Sequence, residues 1–177
     1  PLSELLAELD CSVFSSSEGD FHPEPSLTPE LDPDSIAFLQ HSSGTTGLQK
    51  GVALSHRAVL THAVSYAAAI ALNPVNDTVV SWLPLYHDMG LIAGFVMPVI
   101  TGTHLVMMSP FEWVRRPPML LEAIQRHRGT LCWLPNFAYN LLARTTRVAS
   151  QDELDISSLR AVINCSEPVY AESHDAF

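Results

Sequence analysis

From residue 36 onward the chain alternates short apolar runs with longer stretches in which apolar residues recur every three or four positions. Two short runs, Ile36-Ala37-Phe38-Leu39 and Val52-Ala53-Leu54, predict strands on either side of a glycine-rich loop. Ser55 stands where an N-cap belongs, and Val59, Leu60, Ala63, Val64, Ala67 and Ala71 form the inward stripe of a helix to about Leu72. Asn73-Pro74 stops it. Residues 78–83 predict a buried strand, 90–100 a helix and 104–108 another strand. Pro117-Pro118 opens the next helix, which carries arginines in its last turn and Gly129 just past its end. Residues 130–134 predict a strand, Asn136 caps a helix to about Val148, and 159–164 predict a last strand. Repeated strand–helix units of this size predict an α/β fold, a mostly parallel sheet flanked by helices on both faces.

The front of the chain is different. Leu2, Leu5, Leu6 and Leu9 fall at helical spacing, whereas residues 11–35 hold Pro23, Pro25, Pro29 and Pro33 among serines and acids. The division is therefore 1–35, a helix plus an acidic Pro/Ser-rich linker, and 36–177, one α/β subdomain incomplete at its C-terminus. The chain begins without methionine and stops a few residues into a new helix, so it reads as a piece of a longer protein.

Composition narrows the function. At 177 residues and 47% hydrophobic the chain can bury one core. Its net charge of −10 is concentrated at the front, where the first 49 residues hold nine acids and no lysine or arginine. Without a basic patch, nucleic acid is excluded as a partner. Cys11, Cys132 and Cys165 are odd in number and far apart, forming neither a disulfide framework nor a metal pattern, which favours a reducing, cytoplasmic setting. No basic segment leads an apolar core, so no signal peptide is expected. Residues 89–108 lack any charged side chain over the length of a membrane span, but Pro98, Gly102 and His104 interrupt them. With no flanking basic clusters, a buried helix and strand are expected there, and no membrane span.

The candidate chemistry lies in the loop Ser42-Ser43-Gly44-Thr45-Thr46-Gly47-Leu48-Gln49-Lys50-Gly51. Glycines let several backbone N–H groups point at one spot and let a phosphate approach. Hydroxyls add neutral donors, and Lys50, the sole lysine of the chain, adds positive charge. The run is a polyphosphate cradle. It is not the G-x-x-x-x-G-K-[ST] loop of P-loop NTPases, because Lys50 follows Gln49 and precedes Gly51. Nor is it G-x-G-x-x-G, and no G-x-S-x-G elbow occurs.

The loop resembles the signature of the class I adenylate-forming superfamily, roughly [ST]-S-G-[ST]-T-G-x-P-K-G, with Gln49 in place of proline. Three further segments resemble its fatty acyl-AMP ligases and long-chain acyl-CoA synthetases: Ser81-Trp82-Leu83-Pro84-Leu85-Tyr86-His87-Asp88-Met89-Gly90-Leu91-Ile92, Leu134-Pro135-Asn136-Phe137-Ala138-Tyr139 and Ile163-Asn164-Cys165-Ser166-Glu167-Pro168-Val169. The resemblance implies that Ser42, Ser43, Gly44, Thr45, Thr46, Gly47 and Lys50 hold the β- and γ-phosphates of ATP. It implies that His87 lies beside the reacting carboxylate as the catalytic position, and that Ser166, Glu167 and Pro168 form part of the adenine site. Cys165-Ser166 departs from the usual Gly-Ala or Gly-Gly. Asp88 is expected as a helix N-cap, and His87-Asp88 alone is too little for a metal site. Trp82, Tyr86, Phe95, Met97, Trp133, Phe137 and Tyr139 are candidates for an acyl channel, although core packing is the default for most of them. Arg115, Arg116, Arg126 and Arg128 read as solvated and helix-end charges.

The implied activity is a fatty-acid ligase that forms acyl-adenylate from a fatty acid and Mg2+-bound ATP. It then passes the acyl group to the thiol of an acyl carrier protein or coenzyme A. The family's later motifs are missing from these residues, so the isolated chain is expected to be inactive. The alternative is a degenerate AMP-binding-like domain that binds lipid or a partner without turnover, with Cys165-Ser166 as the feature favouring it.

Overall fold

The structure, a computed structural model, describes residues 31–42, 50–146 and 154–177. The helix and linker expected before residue 31, and loop residues 43–49, lie outside the described residues.

Strands β1 (Ile36–Ser42) and β2 (Lys50–Ser55) form an antiparallel hairpin running from Ile36 opposite Ser55 to Ser42 opposite Lys50. The chain then enters α1 (His56–Ala69), where Ser55 Oγ accepts from the Ala58 N–H at 3.2 Å, the cap foreseen from sequence. Ala71, left-handed at φ 50°, turns the chain away before Asn73-Pro74. Ala63 and Ala67 are buried as expected, but Leu60 and Val64 are exposed. The small alanines set the packing stripe because they allow close helix–helix approach.

The main sheet is parallel, in the order β4-β3-β5-β6: β3 (Thr78–Ser81), β4 (His104–Met107), β5 (Leu131–Pro135) and β6 (Ala161–Cys165). Central strands β3 and β5 are buried throughout, as strands covered on both faces must be, and their sequences show no alternation of apolar and charged residues. Between β3 and β4 run α2 (Asp88–Leu91), a π-helical turn (Ile92–Val96) and α3 (Met97–Thr101). The uncharged stretch is therefore helix and then strand, and no helix among the described residues is long and apolar enough to cross a membrane. Between β4 and β5 lie α4 (Pro110–Arg115), which the sequence pattern did not reveal, and α5 (Met119–His127). The left-handed residue ending α5 is Arg128, at φ 52°, rather than Gly129. Helix α6 (Asn136–Thr146) joins β5 towards β6, and α7 (Ala171–Ala176) follows β6.

Strand order fixes where a site belongs. From β3 the chain steps outward to β4, then returns past β3 to β5 and continues the other way to β6. Right-handed crossovers put the β3–β4 helices on one face and the β4–β5 and β5–β6 helices on the other. The reversal leaves a crevice beyond the carboxyl ends of β3 and β5, the switch point at which such sheets bind ligands. At the opposite rim, Asp77 is 4% exposed and fully partnered. It accepts from Arg160 Nε and Nη2 at 2.8 Å each, from Thr130 Oγ1 at 2.7 Å and from the Asn73 N–H at 2.8 Å. The Arg160 guanidinium is the main cause holding this carboxyl well below the usual carboxylate range.

Candidate functional site

A cleft of about 310 Å³ occupies that switch point. Trp82, Leu83, Pro84 and His87 line it from beyond β3, Pro135 and Phe137 from beyond β5, and Ser166 and Glu167 from beyond β6. Three residues singled out from sequence, His87, Ser166 and Glu167, thus meet in one cavity although His87 lies 79 positions before Ser166 in the chain.

His87 is placed by a turn and a glycine. Its N–H donates to the Pro84 carbonyl at 3.1 Å, and α2 begins at Asp88. A Cβ on Gly90 would sit 2.3 Å from that same Pro84 oxygen, and one on Gly94 would sit 2.6 Å from Ser81 Oγ. Gly90 in the second motif and Gly94 just after it therefore let the helix lie against the end of β3. His87, not Asp88, is the capping residue; Asp88 is the first helical residue. His87 Nδ1 lies 2.8 Å from Asp88 Oδ1 and 3.3 Å from the Met89 nitrogen, while Asp88 Oδ1 lies 2.7 Å from that nitrogen. The Met89 N–H is shared between Asp88 Oδ1 and His87 Nδ1, so both acceptors are engaged at the start of the helix. That leaves Nε2 of the half-exposed imidazole as the nitrogen able to act on another group.

The turn after β6 combines strain with restraint. Ser166 is left-handed at φ 71°, a conformation that costs a side-chain-bearing residue about 1–2 kcal/mol. The Glu167 carboxylate accepts from the Phe137 N–H at the start of α6. Its acidic group is thereby used on a helix N-terminus, where negative charge is favoured. The Glu167 carboxylate is thus engaged with α6, so its part in a nucleotide site would come through its backbone. Pro168 follows in the exposed turn and is not among the cleft-lining residues. Cys165 is buried, which pushes its thiol up.

The aromatic candidates divide. Trp82 and Phe137 line the cleft, with Trp82 stacked on Trp113 at 3.6 Å and 13° and Phe137 edge-on to both. Trp113 itself, fully buried, was missed in the sequence because the short helix bearing it was missed. Met97, Trp133 and Tyr139 are core, and the Trp133 indole donates to Tyr66 Oη at 2.7 Å. Tyr86 and Phe95 are exposed and do not line the cleft. Arg116 pairs with Glu122 and Arg128 with Asp155, exposed contacts of little consequence.

Of the phosphate loop, Ser42 and Lys50 face one another across the end of the hairpin, which brings the two ends of the loop together. Ser43, Gly44, Thr45, Thr46 and Gly47 lie outside the described residues. Among the described residues no three histidine, cysteine or acidic side chains converge as a metal cage.

Comparison with known proteins fits this geometry. The chain is 36% identical over 149 residues to a medium-chain fatty acid–[acyl-carrier-protein] ligase of Moorena producens, covering 84% of this chain and 25% of that protein. It is 36% identical over 137 residues to a 4-hydroxyphenylalkanoate adenylyltransferase of Mycobacterium tuberculosis, covering 76% of this chain and 22% of that one. Among solved structures, a fatty acyl-adenylate ligase from Legionella pneumophila, in complex with acyl adenylate and pyrophosphate, superposes with a TM-score of 0.77 at 35% identity. That match covers 81% of this chain and 25% of the other, so the chain spans about a quarter of the length of the proteins it matches. Residues 3–177 match the AMP-binding enzyme family, and the chain belongs to it.

Proposed function

We propose that this chain forms the switch-point part of the active site of an enzyme that activates a fatty acid as its acyl-adenylate. The observation that carries the reading is the cleft itself, where His87, Ser166 and Glu167 converge against an aromatic wall of Trp82 and Phe137. In this reading the fatty-acid carboxylate attacks the α-phosphorus of ATP, forming a C–O–P linkage and releasing pyrophosphate. An in-line displacement of this kind needs positioning and charge stabilisation more than covalent help. Nε2 of His87 holds the carboxylate at the mouth of the apolar wall. Ser166, Glu167 and Pro168 carry the adenine. Ser42, Ser43, Gly44, Thr45, Thr46, Gly47 and Lys50 hold the β- and γ-phosphates. Mg2+ would accompany the phosphates of ATP, as it commonly does. A thiol of an acyl carrier protein or of coenzyme A then attacks the acyl carbon in the cytoplasm, forming a thioester as the C–O bond breaks and AMP leaves. The relative that uses an acyl carrier protein favours the first acceptor.

In organisation, residues 1–35 serve as an approach segment and 36–177 as part of the AMP-binding domain. The test is fatty-acid-dependent ATP–pyrophosphate exchange, with hydroxylamine trapping of the acyl-adenylate. The full-length protein should turn over and the isolated 177 residues should not. A full-length protein that binds fatty acid but shows no exchange would instead support the non-catalytic lipid-binding alternative.

A further inference from the structure

The residues that hold the Ser166 turn are as informative as the turn. Asn136, the first residue of α6, is 5% exposed, and every polar atom of its side chain is engaged. Its Oδ1 accepts from the Tyr170 N–H at 3.1 Å and from Asn164 Nδ2 at 3.4 Å. Its Nδ2 donates to the buried Ser173 Oγ at 2.9 Å, which also accepts from Asn140 at 3.0 Å. The next backbone N–H, that of Phe137, donates to Glu167. Two successive residues of α6 therefore grip the turn at both ends, Phe137 at 167 and Asn136 at 170. Between β6 and those two anchors lies Ser166, in a conformation it keeps only if the surroundings over-determine it. A buried amide satisfied on both of its polar atoms is a rigid fixture, because any other placement would strand buried polar groups.

We propose that Asn136 is the positioning residue of the nucleotide turn, fixing residues 166–170 in the shape that receives the adenine. Asn136 does not line the switch-point cleft and acts through the Tyr170 backbone. The inference rests on the adenylation reading above. It distinguishes Asn136 from Ser173, its partner on the far side, whose hydroxyl receives Asn136 and Asn140 and supports the packing of α7; the Ser173 N–H donates to the Tyr170 carbonyl at 3.1 Å, a backbone bond that Ser173→Ala keeps.

The experiment uses the full-length protein and fatty-acid-dependent ATP–pyrophosphate exchange, with kcat, KM for ATP and Tm measured for four forms. Asn136→Ala should raise KM for ATP about tenfold or more, the usual scale for loss of an outer support, with a smaller effect on kcat. Asn136→Asp, which keeps an acceptor for Tyr170, Asn164 and the Ser173 hydroxyl, should stay within about threefold of the unsubstituted protein. Ser173→Ala should lower Tm and leave KM for ATP unchanged. Should Asn136→Ala fail to fold, Asn136→Ser, too short to reach the Tyr170 N–H, supplies the same comparison. Unchanged KM in the Ala or Ser variant, or an equal rise in Ser173→Ala, overturns the positioning role alone. No exchange in the unsubstituted protein overturns the adenylation reading and this inference with it.

Discussion

The two ends of the parallel sheet follow opposite rules. At the amino ends of β3, β5 and β6, Asp77, Thr130 and Arg160 form a closed network in which each polar atom of Asp77 has partners. Arg160 also donates to the Ile70 and Ala71 carbonyls, ending α1. At the carboxyl ends, Ser166 is strained, Phe137 is exposed, and the buried indole N–H groups of Trp82 and Trp113 lack partners among the described residues. The first end is built for stability. The second carries local violations of good packing, which a fold tolerates where a ligand must be received. Substitutions at the two ends should therefore separate stability from function.

The largest effect is expected at the amino end. Asp77→Ala should lower the unfolding free energy by about 3 kcal/mol, because it leaves Arg160 without its carboxylate in a partly buried place. KM for ATP should not move; urea denaturation beside exchange kinetics checks both. The same network predicts an acid dependence. The folded carboxyl has a lowered pKa, so its stabilisation is full above the unfolded value of about 4 and is lost as pH falls below it. Stability curves at descending pH should be steeper for the unsubstituted protein than for Asp77→Asn. Equal slopes would break the claim that this network anchors the amino end.

An intermediate effect is expected where β3 meets α2. Gly90→Ala puts a methyl 2.3 Å from a backbone carbonyl that cannot rotate away, and about 2 kcal/mol of overpacking should follow. Because Pro84 O also receives the His87 N–H, kcat should fall along with stability. Gly94→Ala meets the Ser81 hydroxyl, a side chain that can turn, so its loss should be smaller in both measurements. A larger loss in Gly94→Ala would show that the helix, and not His87, is what these glycines place.

How much of this was legible follows from which contacts are local. The strands around the loop, the Ser55 cap and the buried β3 and β5 could be read because short-range pattern determines them. The convergence of His87 with Ser166 and Glu167 was implied by family resemblance; strand order supplies its physical reason. Helix α4 was hidden because Phe111 and Val114 are exposed while Trp113 is buried, so its six residues give no usable periodicity. The Asp77–Arg160 pair spans 83 positions and leaves no local trace. The roles of Asn136 and Ser173 were illegible for the same reason: serine and asparagine are ordinary surface residues until the fold buries them against each other.

The smallest effect tests the strain itself. Ser166 holds φ 71° with a side chain that makes this region unfavourable, whereas glycine enters it freely. Ser166→Gly should relieve about 1 kcal/mol in the folded state and lose part of that gain to the greater freedom of the unfolded chain. A small rise in Tm is the expected net result. If the turn serves the nucleotide, the same substitution should raise KM for ATP, since the gain comes from loosening what Asn136 and Glu167 hold. Tm and KM rising together would tie the strain to binding. A fall in Tm would mean that the Ser166 side chain stabilises the turn, and the contrast between a relaxed amino end and a strained carboxyl end would lose its sharpest example.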